Sequence, residues 1–178
     1  MTSTKTPLII GVMGGGESDP ENAEAAYRLG SLIAKQGWIL LNGGRNSGIM
    51  DASARGASAH GGLTVGILPD DNRRRVSDYI SIPIVTGLGN ARNCINVLSS
   101  DFVVACPGGA GTLSEIALAL KIGKPVILLN YKMKDMFDGF IKIAGSLYRA
   151  DTPEEAVDWI IRHRSRSSPR RASGPRGS

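Results

Sequence analysis

Glu115 closes the stretch Pro107-Gly108-Gly109-Ala110-Gly111-Thr112-Leu113-Ser114-Glu115, and two arginines, Arg45 and Arg92, lie close to other glycine turns of the chain. A carboxylate, two guanidinium groups and clustered glycines are the parts of an anion site. Glycine turns expose backbone N–H groups, and arginine supplies a forked cationic donor. The stretch follows the apolar run Phe102-Val103-Val104-Ala105-Cys106 and precedes a helical pattern, so it reads as strand, turn and helix start. Glu115 carries two readings. As a carboxylate beside an arginine it could act on a sugar as base or ion stabiliser, although glycoside hydrolysis usually takes two such groups. As the last residue of Thr112-Leu113-Ser114-Glu115 it completes an S/T-x-x-E capping box and would reach back to the Thr112 amide, the preferred reading.

Arg45 precedes the predicted second helix, and Arg92 lies two residues beyond Asn90, the predicted cap of a later one. A cation in the first turn of a helix opposes the helix dipole, at a cost of about 0.3 to 1 kcal/mol when exposed. A bound anion reverses that sign. The alternative for each is a swing into solvent or a pairing with a carboxylate such as Asp51.

The elements that must position these groups alternate. Apolar runs Leu8 to Met13, Trp38 to Leu41, Leu63 to Leu68, Ile82 to Thr86, Phe102 to Cys106 and Val126 to Leu129 read as strands. Helical patterns separate most of them. The first starts at Asp19-Pro20 with a cap and a first-position proline, and the last at Thr152-Pro153-Glu154-Glu155 with a capping box. Ala91, Ile95 and Leu98 form one predicted apolar stripe, and Leu113, Ile116, Ala117 and Leu120 another. Pro83 places its strand near a sheet edge, and Asp70 to Ser81, with Arg73-Arg74-Arg75, reads as a polar loop whose charges are solvated. The pattern predicts an α/β, Rossmann-like, doubly wound and mainly parallel sheet with helices on both faces.

In such a sheet ligands bind beyond the carboxyl ends of the strands. Gly14-Gly15-Gly16, Gly43-Gly44, Gly87-Leu88-Gly89 and Gly108-Gly109-Ala110-Gly111 all fall there, which favours a phosphate-sized anion. The first turn is not a dinucleotide fingerprint, because Asp19 stands where the third glycine belongs, and no phosphate-loop lysine motif occurs. NAD and ATP are therefore not expected. His60 and His163 are isolated, Cys94 and Cys106 have no metal-type spacing, and a structural metal is not expected either.

The net charge of +5 suggests nucleic acid at first sight. Six arginines from Arg162 onward account for it, since the preceding residues hold 15 Lys and Arg against 16 Asp and Glu. We therefore expect one domain over residues 1–163 and a disordered Arg/Ser-rich tail over 164–178, of native or expression origin, with no nucleic-acid partner. No run approaches a membrane span, and the cysteines read as reduced, packed thiols, so a cytoplasmic protein without a membrane partner is expected.

Pro107-Gly108-Gly109-Ala110-Gly111-Thr112 with Glu115, together with Gly43-Gly44 before Gly48-Ile49-Met50, resembles the lysine-decarboxylase-like superfamily that includes the cytokinin-activating phosphoribohydrolases, the LOG proteins. That resemblance implies a Rossmann-like homo-oligomer, and for those enzymes cleavage of a nucleoside 5′-monophosphate into base and ribose 5-phosphate. The chain is more similar still to the molybdenum cofactor carriers, over about Pro7 to Leu129. The likeness includes Gly11-Val12-Met13-Gly14, Gly37-Trp38-Ile39-Leu40-Leu41, Gly43-Gly44-Arg45, the run from Ile82 to Gly89 with Ala91-Arg92-Asn93, and Ala117 to Lys121. The hydrolases usually carry Arg-Lys at Arg92-Asn93 and a third glycine at Arg45, whereas carriers share the arginine. Arg92 and Glu115 still match the hydrolases' catalytic pair.

The resemblance implies a carrier with molybdenum cofactor as cargo, molybdoenzymes as recipients, and self-association as a dimer or, preferred, a tetramer. Gly108, Gly109, Gly111 and Thr112 would hold phosphate, Arg45 and Arg92 would neutralise charge, and Glu115 would orient the turn or a pterin N–H. Gly14, Gly15, Gly16, Gly43, Gly44, Gly48, Met50 and Asn93 would complete the site.

Overall fold

The computed structural model describes residues 6–131 and 147–164. Seven strands, β1 (Ile9–Met13), β2 (Ile39–Asn42), β3 (Thr64–Leu68), β4 (Ile82–Val85), β5 (Phe102–Ala105), β6 (Val126–Leu129) and β7 (Leu147–Ala150), form one sheet. Their order is β4-β3-β2-β1-β5-β6-β7 and every pairing is parallel. Parallel strands need crossovers, and the helices that supply them cover both sheet faces. Successive strand residues point to opposite faces, so each strand feeds two cores. Phe102 and Val104 pack with α1 (Pro20–Lys35), α2 (Gly48–Ser58) and α5 (Pro153–His163). Val103 and Ala105 pack with α3 (Asn93–Ser99) and α4 (Ala110–Lys121). Each fully buried Leu, Ile or Phe contributes about 1.5–3 kcal/mol.

Local chemistry starts the helices where the sequence predicts for two of them. Asp19 Oδ1 accepts from the Asn22 amide at 2.7 Å, with Pro20 in the first position of α1. Thr152 Oγ1 accepts from the Glu155 amide at 3.2 Å, while Glu155 Oε2 accepts from Asp151 N–H at 2.9 Å, closing the predicted box one residue early. The two helices α1 and α2 touch backbone to backbone: a Cβ on Gly30 would overlap the Ser53 carbonyl, and one on Gly56 the Tyr27 carbonyl.

Four differences from expectation have physical reasons. β7 is a seventh strand, read through by sequence because Leu147-Tyr148-Arg149-Ala150 is short and interrupted by a charge. The chain past Gly89 first makes a 3₁₀ turn, Gly89–Arg92, and α3 begins at Asn93 instead of near Asn90. The stripes expected to be buried on α3 and α4 are partly rotated: Ile116 and Leu120 are buried as expected, but Leu98 is 61 % and Leu113 38 % exposed, Ala91 and Ala117 are exposed, and Asn96, Val97 and Glu115 face inward. Cys106 is packed but Cys94 is exposed, where both were expected to be packed, and His163 ends α5, where it stacks on Trp159 at 4.0 Å. Pro83 does lie in the edge strand β4. The tail beyond residue 164 lies outside the described residues.

Candidate anion site at the strand ends

Strand order reverses between β1 and β5, and their carboxyl ends open the crevice where open parallel sheets bind ligands. The two loops there are joined. The Gly15 amide donates to the Pro107 carbonyl at 3.1 Å, and the Ile49 amide, in the first turn of α2, donates to the Gly15 carbonyl at 3.0 Å. Gly108 permits this approach, because a Cβ there would lie 2.6 Å from the Gly15 nitrogen.

A cavity of about 420 Å³ results, within the range of small-molecule sites. Of the predicted residues, Gly14, Gly15, Gly16, Gly43, Arg45, Met50, Arg92, Asn93, Gly109, Gly111, Thr112 and Glu115 line it. Gly44, Gly48 and Gly108 do not. Gly44 and Gly48 take positive φ, 74° and 53°, and shape the loop behind the wall; Gly108 lines a neighbouring recess of about 670 Å³ with Glu17, Ser18, Asp19 and Asn22. That recess is larger but has no cationic side chain, so we take the 420 Å³ cavity as the site.

Arg92 lies over the backbone of Gly43, where a Cβ would stand 2.6 Å from its Nη2 and 2.6 Å from Met50 Sδ. Its Nε is buried without a hydrogen-bond partner, as is the Nε of Arg45. Arg45 Nη2 meets both Asp70 oxygens at 3.2 Å, so its carboxylate partner is Asp70, beyond β3, and not Asp51. Burial lowers the Arg92 pKa; Glu115 opposes this, Arg45 adds to it, and Asp70 opposes it.

Glu115 does not form the predicted capping box. The glycine pair lets the chain turn into α4 early, with Gly109 at the cap and Ala110 first, so Thr112 already sits inside the helix and is buried. Glu115, one turn further, is 6 % exposed and accepts from Asn96 Nδ2 at 2.8 Å. Burial raises its pKa, against the pull of the Asn96 donor and the Arg92 charge. Asn93 Nδ2 donates to Ser114 Oγ at 3.0 Å, which further joins α3 to α4.

Sequence reasoning missed Asn96, Asp70 and Asn42. Asn42, fully buried at the end of β2, donates to the Met50 carbonyl at 2.9 Å and accepts from the Gly44 amide at 2.8 Å, fixing the loop on which Arg92 rests. The available signal was the amide itself: an Asn amid an apolar strand or helix face must find partners when buried. Among the described residues no group of three or more His, Cys, Asp or Glu is gathered as a metal site would need.

The model of the SLOG cluster4 family matches residues 7–157. The molybdenum cofactor binding protein of the phototrophic bacterium Rippkaea orientalis superposes with a TM-score of 0.84 at 52% identity, over 90% of this chain and 98% of that one. The molybdenum cofactor carrier protein of Chlamydomonas reinhardtii gives 0.82 at 41% identity, over 89% and 99%. A cytokinin riboside 5′-monophosphate phosphoribohydrolase of Mycobacterium tuberculosis is 36% identical over 118 residues, which span 62% of this chain and 63% of the enzyme.

Proposed function

The chain belongs to the SLOG cluster4 family, and from that premise we propose that it is a carrier that binds molybdenum cofactor, shields it and hands it to molybdoenzymes without turning it over. The observation that carries this reading is the pair of guanidinium groups in one glycine-walled cavity, each with a buried Nε that lacks an acceptor. Buried donors without partners are costly, and an anion of phosphate size answers both at once. The cargo is a pterin with a dithiolene and a terminal phosphate. The phosphate suits Arg45, Arg92 and the backbone donors of Gly109 and Gly111, with Thr112 beside them and Gly108 shaping the turn. The ordinary site for the rest is the wall formed by Gly14 to Gly16, Gly43, Met50 and Asn93.

The reading assigns no catalytic residue. Hydrolysis of a glycosidic bond usually needs two working carboxyl groups. The cavity has Asp70 and Glu115, but both oxygens of Asp70 are engaged by Arg45 and Glu115 is engaged by Asn96. A second reading, phosphoribohydrolase, keeps one observation in its favour: Arg92 and Glu115 line the same cavity, and a carboxyl with a raised pKa is suited to protonate a leaving base. Self-association as a tetramer and a cytoplasmic location complete the proposal. The exposed Leu98 and Leu113 on neighbouring helices support the first; among the described residues no helix is long and apolar enough to cross a membrane.

Incubation with molybdenum cofactor and, separately, with AMP and a cytokinin ribotide tests this. Stoichiometric protection of the pterin with both monophosphates intact is expected. Steady release of free base that disappears in Glu115→Ala would overturn it, and AMP binding without product would point to a nucleotide-binding regulator.

A further inference from the structure

Glu115 has one hydrogen bond among the described residues, from Asn96 Nδ2. Asn96 is fully buried, and its Oδ1 has no donor. Arg45 is paired with Asp70, and Arg92 Nε has no acceptor, so Arg92 acts on Glu115 as a nearby charge and supplies it no hydrogen bond. An ionised carboxylate offers acceptors only. It would leave Asn96 Oδ1 orphaned and would itself be a buried charge with a single neutral donor, a costly arrangement on both counts. A carboxylic acid supplies what is missing. Its carbonyl oxygen accepts from Nδ2, and its O–H is a donor for which Oδ1 is the unpartnered acceptor.

We propose that Glu115 rests as a neutral acid paired at two points with Asn96, which makes Asn96 a positioning residue and leaves the cavity with one net positive charge. The charged groups facing Glu115 in that cavity are Arg92 from the turn before α3, Arg45 from the loop after β2 and Asp70 from the loop after β3; α4 itself brings the uncharged Gly111 and Thr112 beside it. Two arginines and one aspartate leave a surplus of one cation, whereas an ionised Glu115 would cancel it. The direction in which burial moves the Glu115 pKa agrees. The surplus deepens the carrier reading, on which its use for an anionic cargo rests, but the protonation state itself is independent of any ligand.

The test uses the full chain without ligand. With glutamate labelled at the carboxyl carbon, the resonance absent from Glu115→Gln is expected at its protonated position at a pH where the other glutamate resonances have already moved to their ionised positions. Finding it ionised there overturns the proposal. Thermal melts give a second readout. A carboxyl with a folded pKa above its unfolded one binds more protons when folded, so the parent loses stability as pH rises from the ordinary glutamate value through the raised one. Glu115→Gln keeps both hydrogen bonds without a titrating group. Its Tm is expected to match the parent's near pH 5 and to exceed it increasingly toward pH 8. A folded variant less stable than the parent at pH 7 overturns the proposal; if Glu115→Gln does not fold, Glu115→Asp assigns the resonance and its position decides. If molybdenum cofactor fails to bind while the resonance stays protonated, the carrier reading falls and this proposal stands.

Discussion

The two faces of the sheet are built for different ends. The face under α1, α2 and α5 sets a few buried polar groups, Ser31, Asn42 and Ser53, each hydrogen-bonded, among apolar ones, with Ile10, Val12, Leu29, Ile33, Phe102 and Ile160 at its centre and helices pressed together at Gly30 and Gly56. The face under α3 and α4 buries Asn96, Thr112 and Glu115 among its aliphatic residues, and leaves Leu98 and Leu113 outside. Burying polar groups lowers stability unless they are paired. Among the described residues the buried carboxyl, Glu115, and the unpartnered Asn96 Oδ1 both lie beneath α3 and α4, and they mark where the molecule accepts that cost for a site.

The contrast can be broken first where packing is tightest. Gly56→Val drives a branched side chain into the Tyr27 carbonyl and is expected to cost about 3 kcal/mol or more of stability, read in denaturant melts, while the folded fraction binds phosphate as the parent does. On the other face the order of effects inverts. Arg92→Ala is expected to change stability little and to weaken inorganic phosphate binding about tenfold or more, because a charge-assisted bond is worth about 1.5–3 kcal/mol; calorimetric titration measures it. The smallest effect sharpens the comparison further. Asp70→Asn removes the carboxylate that holds Arg45, and phosphate affinity is expected to rise a few-fold, with a steeper dependence on salt because the site's positive charge grows, at the cost of a partly exposed pair worth no more than about 1 kcal/mol.

Strands, their alternation with helices and the glycine rim were legible in the sequence because each rests on local pattern: apolar runs, an Asp-Pro start at Asp19-Pro20, a Thr-Pro-Glu-Glu start at Thr152. The resemblance to cofactor carriers and to the LOG superfamily was legible in the same glycines and in Arg45. What escaped depends on contacts distant in sequence. Thr112 and Glu115 satisfy the spacing of a capping box, yet α4 starts at Ala110 and α3 supplies Asn96, nineteen residues away, as the partner. Arg45 finds Asp70 twenty-five residues on, because parallel β2 and β3 bring their carboxyl ends side by side. The stripes on α3 and α4 were misread for a related reason. Periodicity reveals that a helix has an apolar face, but here Asn96, Thr112 and Glu115 share the inward face with Val97, Ile116 and Leu120, while Leu98 and Leu113 turn out.

The link from the Gly15 amide to the Pro107 carbonyl, continued by the Ile49 amide onto the Gly15 carbonyl, ties three loops of the rim to one another before any ligand arrives. The conformational entropy of ordering that rim is therefore lost during folding and not during association. Such a cavity discriminates by fit: a ligand whose phosphate and ring system match it gains the full strength of the contacts, and one of the wrong shape has no flexible wall to accommodate it.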